Sequence, residues 1–154
     1  MNFEIIEWLH IVNSTILFGT GIGSAFLMFV ANRTGNIQNI YFSTRYVIIA
    51  DFIFTAPAII IQLTTGLFLM NIAGYQFDDL WLLWGFALFI LIVICWIPVV
   101  LMKIKMRDLA KECLDQNTKL PKSYWKIDKW LVILGSLAFP AMLIIFYLMI
   151  IKPF

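Results

Sequence analysis

Long apolar runs, each broken only by isolated polar positions, alternate with short polar stretches along this chain. Four runs are long enough to cross a bilayer as helices, which takes ~20 residues: 5–31, 46–73, 80–102 and 130–151. Helix is the required choice, because lipid cannot satisfy open backbone groups and a β-barrel would show short alternating strands. The pattern predicts an all-α integral membrane four-helix bundle, a single transmembrane domain over residues 1–154.

The polar stretches predict the connections. Segment 32–45 contains Arg33-Thr34-Gly35-Asn36, a turn signal. Segment 74–79 is a tight acidic turn. Segment 103–129 is longer; Ile104, Leu109 and Cys113 recur at helical spacing against charged neighbours, so helix 3 is expected to extend into water as a charged cytoplasmic extension. Leu120-Pro121 is expected to stop it.

Composition agrees with the pattern. The chain is 62% hydrophobic and 13% charged, against roughly 45–50% and 25% in soluble domains. The net charge of +2 conceals a polarity: Arg33, Arg45 and eight residues of 103–129 make ten of the eleven basic residues, and the other side holds Lys152. Basic links mark the cytoplasmic side, so the topology is expected to be N-out and C-out. This distribution gives no reason to expect nucleic acid. The N-terminus carries Glu4 and Glu7 where a signal peptide would carry Lys or Arg, so the first run is expected to be retained. Trp8, Trp81 and Trp130 fall near span ends, where indoles prefer to lie. Cys95 and Cys113 have neither the spacing nor the setting of a disulfide or zinc site.

Polar residues at depth are the candidates for chemistry. His10, the sole histidine, falls roughly 7–8 Å below the outer surface by helical rise. Gln62, Thr65, Gly66, Trp84 and Tyr147 fall at similar depth, with Met70 and Met149 just above. His10 reads as a neutral imidazole bonded to Glu7, Asn13 or a hydroxyl, or as a metal or haem ligand. Nearer the inner face lies Asp51, with Ser24, Trp96 and Ser136 at its level and Arg45 two turns away on the same helix. Asp51 reads as a structural group paired with Arg45, or as a proton site. Gly19 and Gly23 form a small-residue ladder on helix 1, suited to a second helix or a flat ligand. Pro57, Pro98 and Pro140 are expected to kink helices 2, 3 and 4.

Taken together, several segments resemble a domain-of-unknown-function family of bacterial predicted integral membrane proteins over nearly the whole chain. They are Leu9-His10 with Gly19, Gly21 and Gly23; Asp51 with Thr55 and Pro57; Gln62 with Gly66; Cys95-Trp96 with Pro98; Met106-Arg107-Asp108; and Tyr147 with Met149. More distantly the chain is similar to the four-helix superfamily of CopD and HemJ. That resemblance implies a histidine early in helix 1, here His10, and a haem b. HemJ-like proteins also use a lysine within a later helix; Lys103 and Lys152 fall at span ends here, which argues against protoporphyrinogen oxidation.

The sequence reading is a haem b-binding redox or electron-transfer protein. His10 would be the axial ligand, Gln62, Thr65, Gly66, Trp84 and Tyr147 would line the pocket, and Met70 or Met149 would supply a second ligand. The alternatives are copper handling by His10, Met70 and Met149, whose soft donors suit copper(I), and a partner-subunit role. The lipid bilayer is the first partner expected. A homodimer through the Gly19/Gly23 face and a quinone as redox partner are further options.

Overall fold

The computed structural model describes residues 2–76 and 78–153. Five α-helices and one π-turn make four long rods: α1 (Phe3–Thr34), α2 (Ile37–Ala50) running through a π-turn (Asp51–Thr55) into α3 (Ala56–Ala73), α4 (Leu80–Asp115) and α5 (Lys122–Ile151). All four rods are long and apolar enough to cross a membrane. Only 17–28% of each spanning window is buried inside the bundle, so most of the apolar surface faces outward and needs lipid.

The second rod begins at Ile37, nine residues before the expected 46. Gln38, Asn39 and Arg45 make segment 32–45 look like a loop, yet they lie on the exposed face of a helix whose other face buries Ile40, Thr44 and Val47. The real connection is Gly35-Asn36. Gly35 takes φ 64°, a left-handed conformation that glycine adopts without steric cost. Asn36 caps α2, its side-chain oxygen accepting from the backbone N–H of Gln38 (2.9 Å) and Asn39 (3.2 Å). Helix 3 does run on past its span, to Asp115, as its charged spacing predicts.

The two ends of the bundle differ. At the basic end, Met28, Ala31, Ile40, Val47, Met106 and Tyr124 form a buried cluster drawing on all four rods. Tyr124 donates to Asn32 Oδ1 (2.7 Å), and Asn32 donates to Asp128 (2.9 Å), tying α1 to α5. At the other end the rods pair off. α2 packs on α4, but beyond the π-turn α3 packs on α1, while α4 stays with α5 along its length. The ends of α3 and α4 therefore leave space between the α1/α3 and α4/α5 pairs. Phe18 bridges the pairs by stacking on Phe139 (5.4 Å between centroids) and meeting Phe146 edge-on (5.5 Å).

The π-turn stands at this fork. Ala56 N–H bonds to Asp51 O, five residues back. The turn ends at Thr55, two residues before Pro57, which has no N–H to continue an α ladder. It directs Asp51 and Thr55 inward and leaves Phe52, Ile53 and Phe54 exposed. α4 and α5 remain helical through Pro98 and Pro140.

Candidate functional site

A cavity of about 180 Å3 fills the space between the helix pairs at the end bearing the chain termini. His10 of α1, Gln62, Gly66 and Met70 of α3, Gly85 of α4 and Met149 of α5 border it. Leucine and phenylalanine side chains make most of the remaining wall. At the rim, Lys152 Nζ donates to Tyr75 Oη (3.0 Å) and lies over the Tyr75 and Trp81 rings, at 5.0 and 5.5 Å from their centroids. This clasp joins the end of α5 to the α3–α4 turn. Trp81, expected at the lipid interface, is buried beneath it.

The polar edge of the cavity is a directed chain of hydrogen bonds. Thr65 Oγ1 lies 2.7 Å from Ile61 O and 2.7 Å from His10 Nδ1. A hydroxyl has one proton. Thr65 donates it to the carbonyl, so His10 Nδ1–H donates to Thr65. The lone pair is then on Nε2, 2.9 Å from Gln62 Nε2, which donates to it. Gln62 Oε1 accepts from Asn13 Nδ2 (2.7 Å), and Asn13 gives its other proton to Ala58 O (2.7 Å). These directions are mutually consistent and correspond to a neutral imidazole protonated at Nδ1. Thr65 lies in the α1/α3 seam, away from the cavity, while His10 and Gln62 border the cavity.

Close approach is built into two glycines. A Cβ on Gly66 would stand 3.3 Å from His10 Cε1, and one on Gly85 would stand 3.1 Å from Met149 Cε. Gly66 thus lets the imidazole lie against the α3 backbone, and Gly85 seats the end of Met149.

The sequence-derived residues divide. His10, Gln62, Gly66, Met70 and Met149 come together on the cavity. Thr65 reaches it through His10. Trp84 and Tyr147 do not: each is 58% exposed on the outer surface of the bundle. Matching depth placed them in the layer, but depth says nothing about which way a helix face turns. Asn13, by sequence a candidate partner of His10, instead anchors the hydrogen-bond chain through Gln62; it lies one turn from His10 on the same face, a legible signal.

A second polar site lies at the fork. Asp51 Oδ2 is 2.7 Å from Lys103 Nζ, with both side chains buried, and Thr55 reaches Asp51 Oδ1 at 3.5 Å. The expected partner Arg45 is exposed and forms no ion pair among the described residues, and Ser136 is also exposed. Lys103, expected at the inner end of a span, instead turns its amine into the bundle. Because α4 continues unbroken to Asp115, Lys103 lies within the helix, and its amine reaches across to the second rod.

A family model matches residues 4–153. The chain belongs to the DUF2269 family of predicted integral membrane proteins. No curated protein and no solved structure matches it. Among the described residues no group of three or more His, Cys, Asp or Glu is gathered to hold a metal ion. A metal here would depend on one imidazole and the thioethers. The cavity of about 180 Å3 is close to the ~150 Å3 that holds one benzene ring, so a haem b bound here would extend beyond it between the helix pairs.

Proposed function

We propose that this DUF2269 protein handles copper in a bacterial inner membrane, binding copper(I) at the outer face through His10, Met70 and Met149. One observation carries the reading: these three soft or borderline donors, from α1, α3 and α5, border one apolar cavity. Copper(I) favours thioether and imidazole donors, and a dry apolar wall suits its low charge. The Thr65 hydroxyl supports the same role. Metal-bound histidines usually hold their second nitrogen in a hydrogen bond that fixes the ring, and here Nδ1–H is so held. Nε2 has only to exchange the Gln62 amide for the metal. Lys152, the one cation on the cavity among the described residues, is drawn to the rim by Tyr75 and Trp81. The inner-membrane assignment is supported by the clustering of basic residues on links at one end.

The test is a titration of the purified protein with copper(I) against a chromophoric chelator, with an absorption spectrum of the protein as isolated from haem-replete cells. One equivalent of tightly bound copper is expected, lost in His10→Ala and weakened in Met70→Leu and Met149→Leu. Binding unchanged in His10→Ala overturns the copper site. A Soret band in the wild type, absent from His10→Ala, would instead establish haem b with His10 as its ligand, and with it an electron-transfer role.

A further inference from the structure

A separate groove runs along the outside of the bundle, between α1 and the α2/π-turn rod. Gly19, Thr20, Gly23 and Ser24 form its floor, and Tyr46 and Phe54 stand as its walls. A Cβ built on Gly19 or on Gly23 meets nothing within 4 Å, so no part of this chain uses the room those glycines leave. The hydroxyls of Thr20 and Ser24 add a second, independent sign. On the same helix Ser14, Thr15 and Thr34 each donate to a carbonyl three residues back. Thr20 and Ser24 make no hydrogen bond among the described residues, although Ser24 is only 7% exposed and borders the groove. In lipid an unpaired hydroxyl is unfavourable.

We infer that the groove is covered by α1 of a second copy of this chain, making a parallel two-fold dimer. The occupant follows from the chemistry of the floor. Two copies inserted with the same orientation share a two-fold axis along the membrane normal, so each residue meets its counterpart at equal depth. A floor of hydroxyls is complementary to itself, because each hydroxyl both donates and accepts. Thr20 and Ser24, one turn apart, face the same pair on the other copy. Gly19 and Gly23 let the two backbones approach closely enough for those bonds. Tyr46 and Phe54, 61% and 52% exposed, gain cover from the incoming helix. This dimer does not depend on the copper reading, since none of its residues borders the other cavity.

Disulfide trapping in native membranes tests it, in a background with Cys95 and Cys113 replaced by alanine. Thr20→Cys and Ser24→Cys are expected to trap dimers on mild oxidation. Ile94→Cys, exposed on α4, is not. Fluorescence transfer between labelled copies in liposomes then reads the equilibrium. Gly19→Leu with Gly23→Leu is expected to shift it toward monomer by tenfold or more without altering the monomer, whose structure leaves both sites open. Thr20→Val is expected to shift it about threefold, the scale of one hydrogen bond between helices in a membrane. Equal trapping at Ile94→Cys, or unchanged association of the double leucine variant, overturns the proposal. A monomeric wild type that retains a lipid-soluble small molecule, lost in the leucine variant, also overturns it and makes the groove a ligand site.

Discussion

The carboxylate of Asp51 and the amine of Lys103 meet at 2.7 Å in the interior of the bundle, where α2 gives way to α3. This pair marks the point beyond which span 2 leaves α4, and it clamps the fork below the cavity. Removing one partner from a buried ion pair costs ~3–5 kcal/mol because the other charge is stranded, whereas replacing both with apolar groups is often neutral. Asp51→Leu and Lys103→Met should each destabilise the bundle by about that amount, and the double variant should recover most of the loss. Reversible unfolding in mixed micelles measures this. Single variants as stable as the wild type would show that the pair does not hold the fork.

The two-residue connection between α1 and α2 rests on Gly35 at φ 64°. A side chain there meets the penalty of left-handed backbone, roughly 1–2 kcal/mol. Gly35→Ala should lower stability by that amount and Gly35→Asn by less. The same unfolding assay reads both; equal stability of all three would mean the turn adopts another conformation in the bilayer.

Orientation follows from the basic residues, of which ten of eleven lie on one side. Lys119→Cys should be shielded from a membrane-impermeant thiol reagent in intact spheroplasts, and Gln76→Cys should react. Labelling of Lys119→Cys alone would invert the topology.

The four rods were legible because an apolar run of bilayer length admits few other structures. The start of span 2 was not, because Gln38, Asn39 and Arg45 lower the hydropathy of a helix whose other face is buried by Ile40 and Val47. Depth along each helix was also legible, and it brought His10, Gln62, Gly66, Met70 and Met149 into one layer. Rotation about each helix was not. Apolar residues surround these helices on all sides, so no amphipathic stripe reveals the inward face. That is why Trp84 and Tyr147, at the right depth, point outward. It is also why Asp51 was matched with Arg45 on its own helix when Lys103 of another reaches it.

The hydrogen-bond chain through His10 yields opposite predictions for its two neighbours. Thr65 accepts from Nδ1–H and Gln62 donates to Nε2. Thr65→Val removes the acceptor that fixes the tautomer and ring orientation, so copper(I) affinity should fall about 10- to 100-fold, the usual consequence of losing such a partner. Gln62→Leu removes the amide that competes with a metal for Nε2, so affinity should hold or rise. It also leaves one Asn13 proton without its acceptor, at a cost of ~1–3 kcal/mol in stability. Thr65→Val likewise strands the His10 Nδ1–H, so both variants should lose some stability, and only the Thr65 variant should lose copper affinity. Nitrogen NMR of the single imidazole gives a check that needs no metal at all. The wild type should show a neutral ring protonated at Nδ1, and Thr65→Val should show a mixture of tautomers. A wild-type ring protonated at Nε2 would reverse the direction of every bond from Asn13 to Thr65, and with it the case for Nε2 as the metal-binding nitrogen.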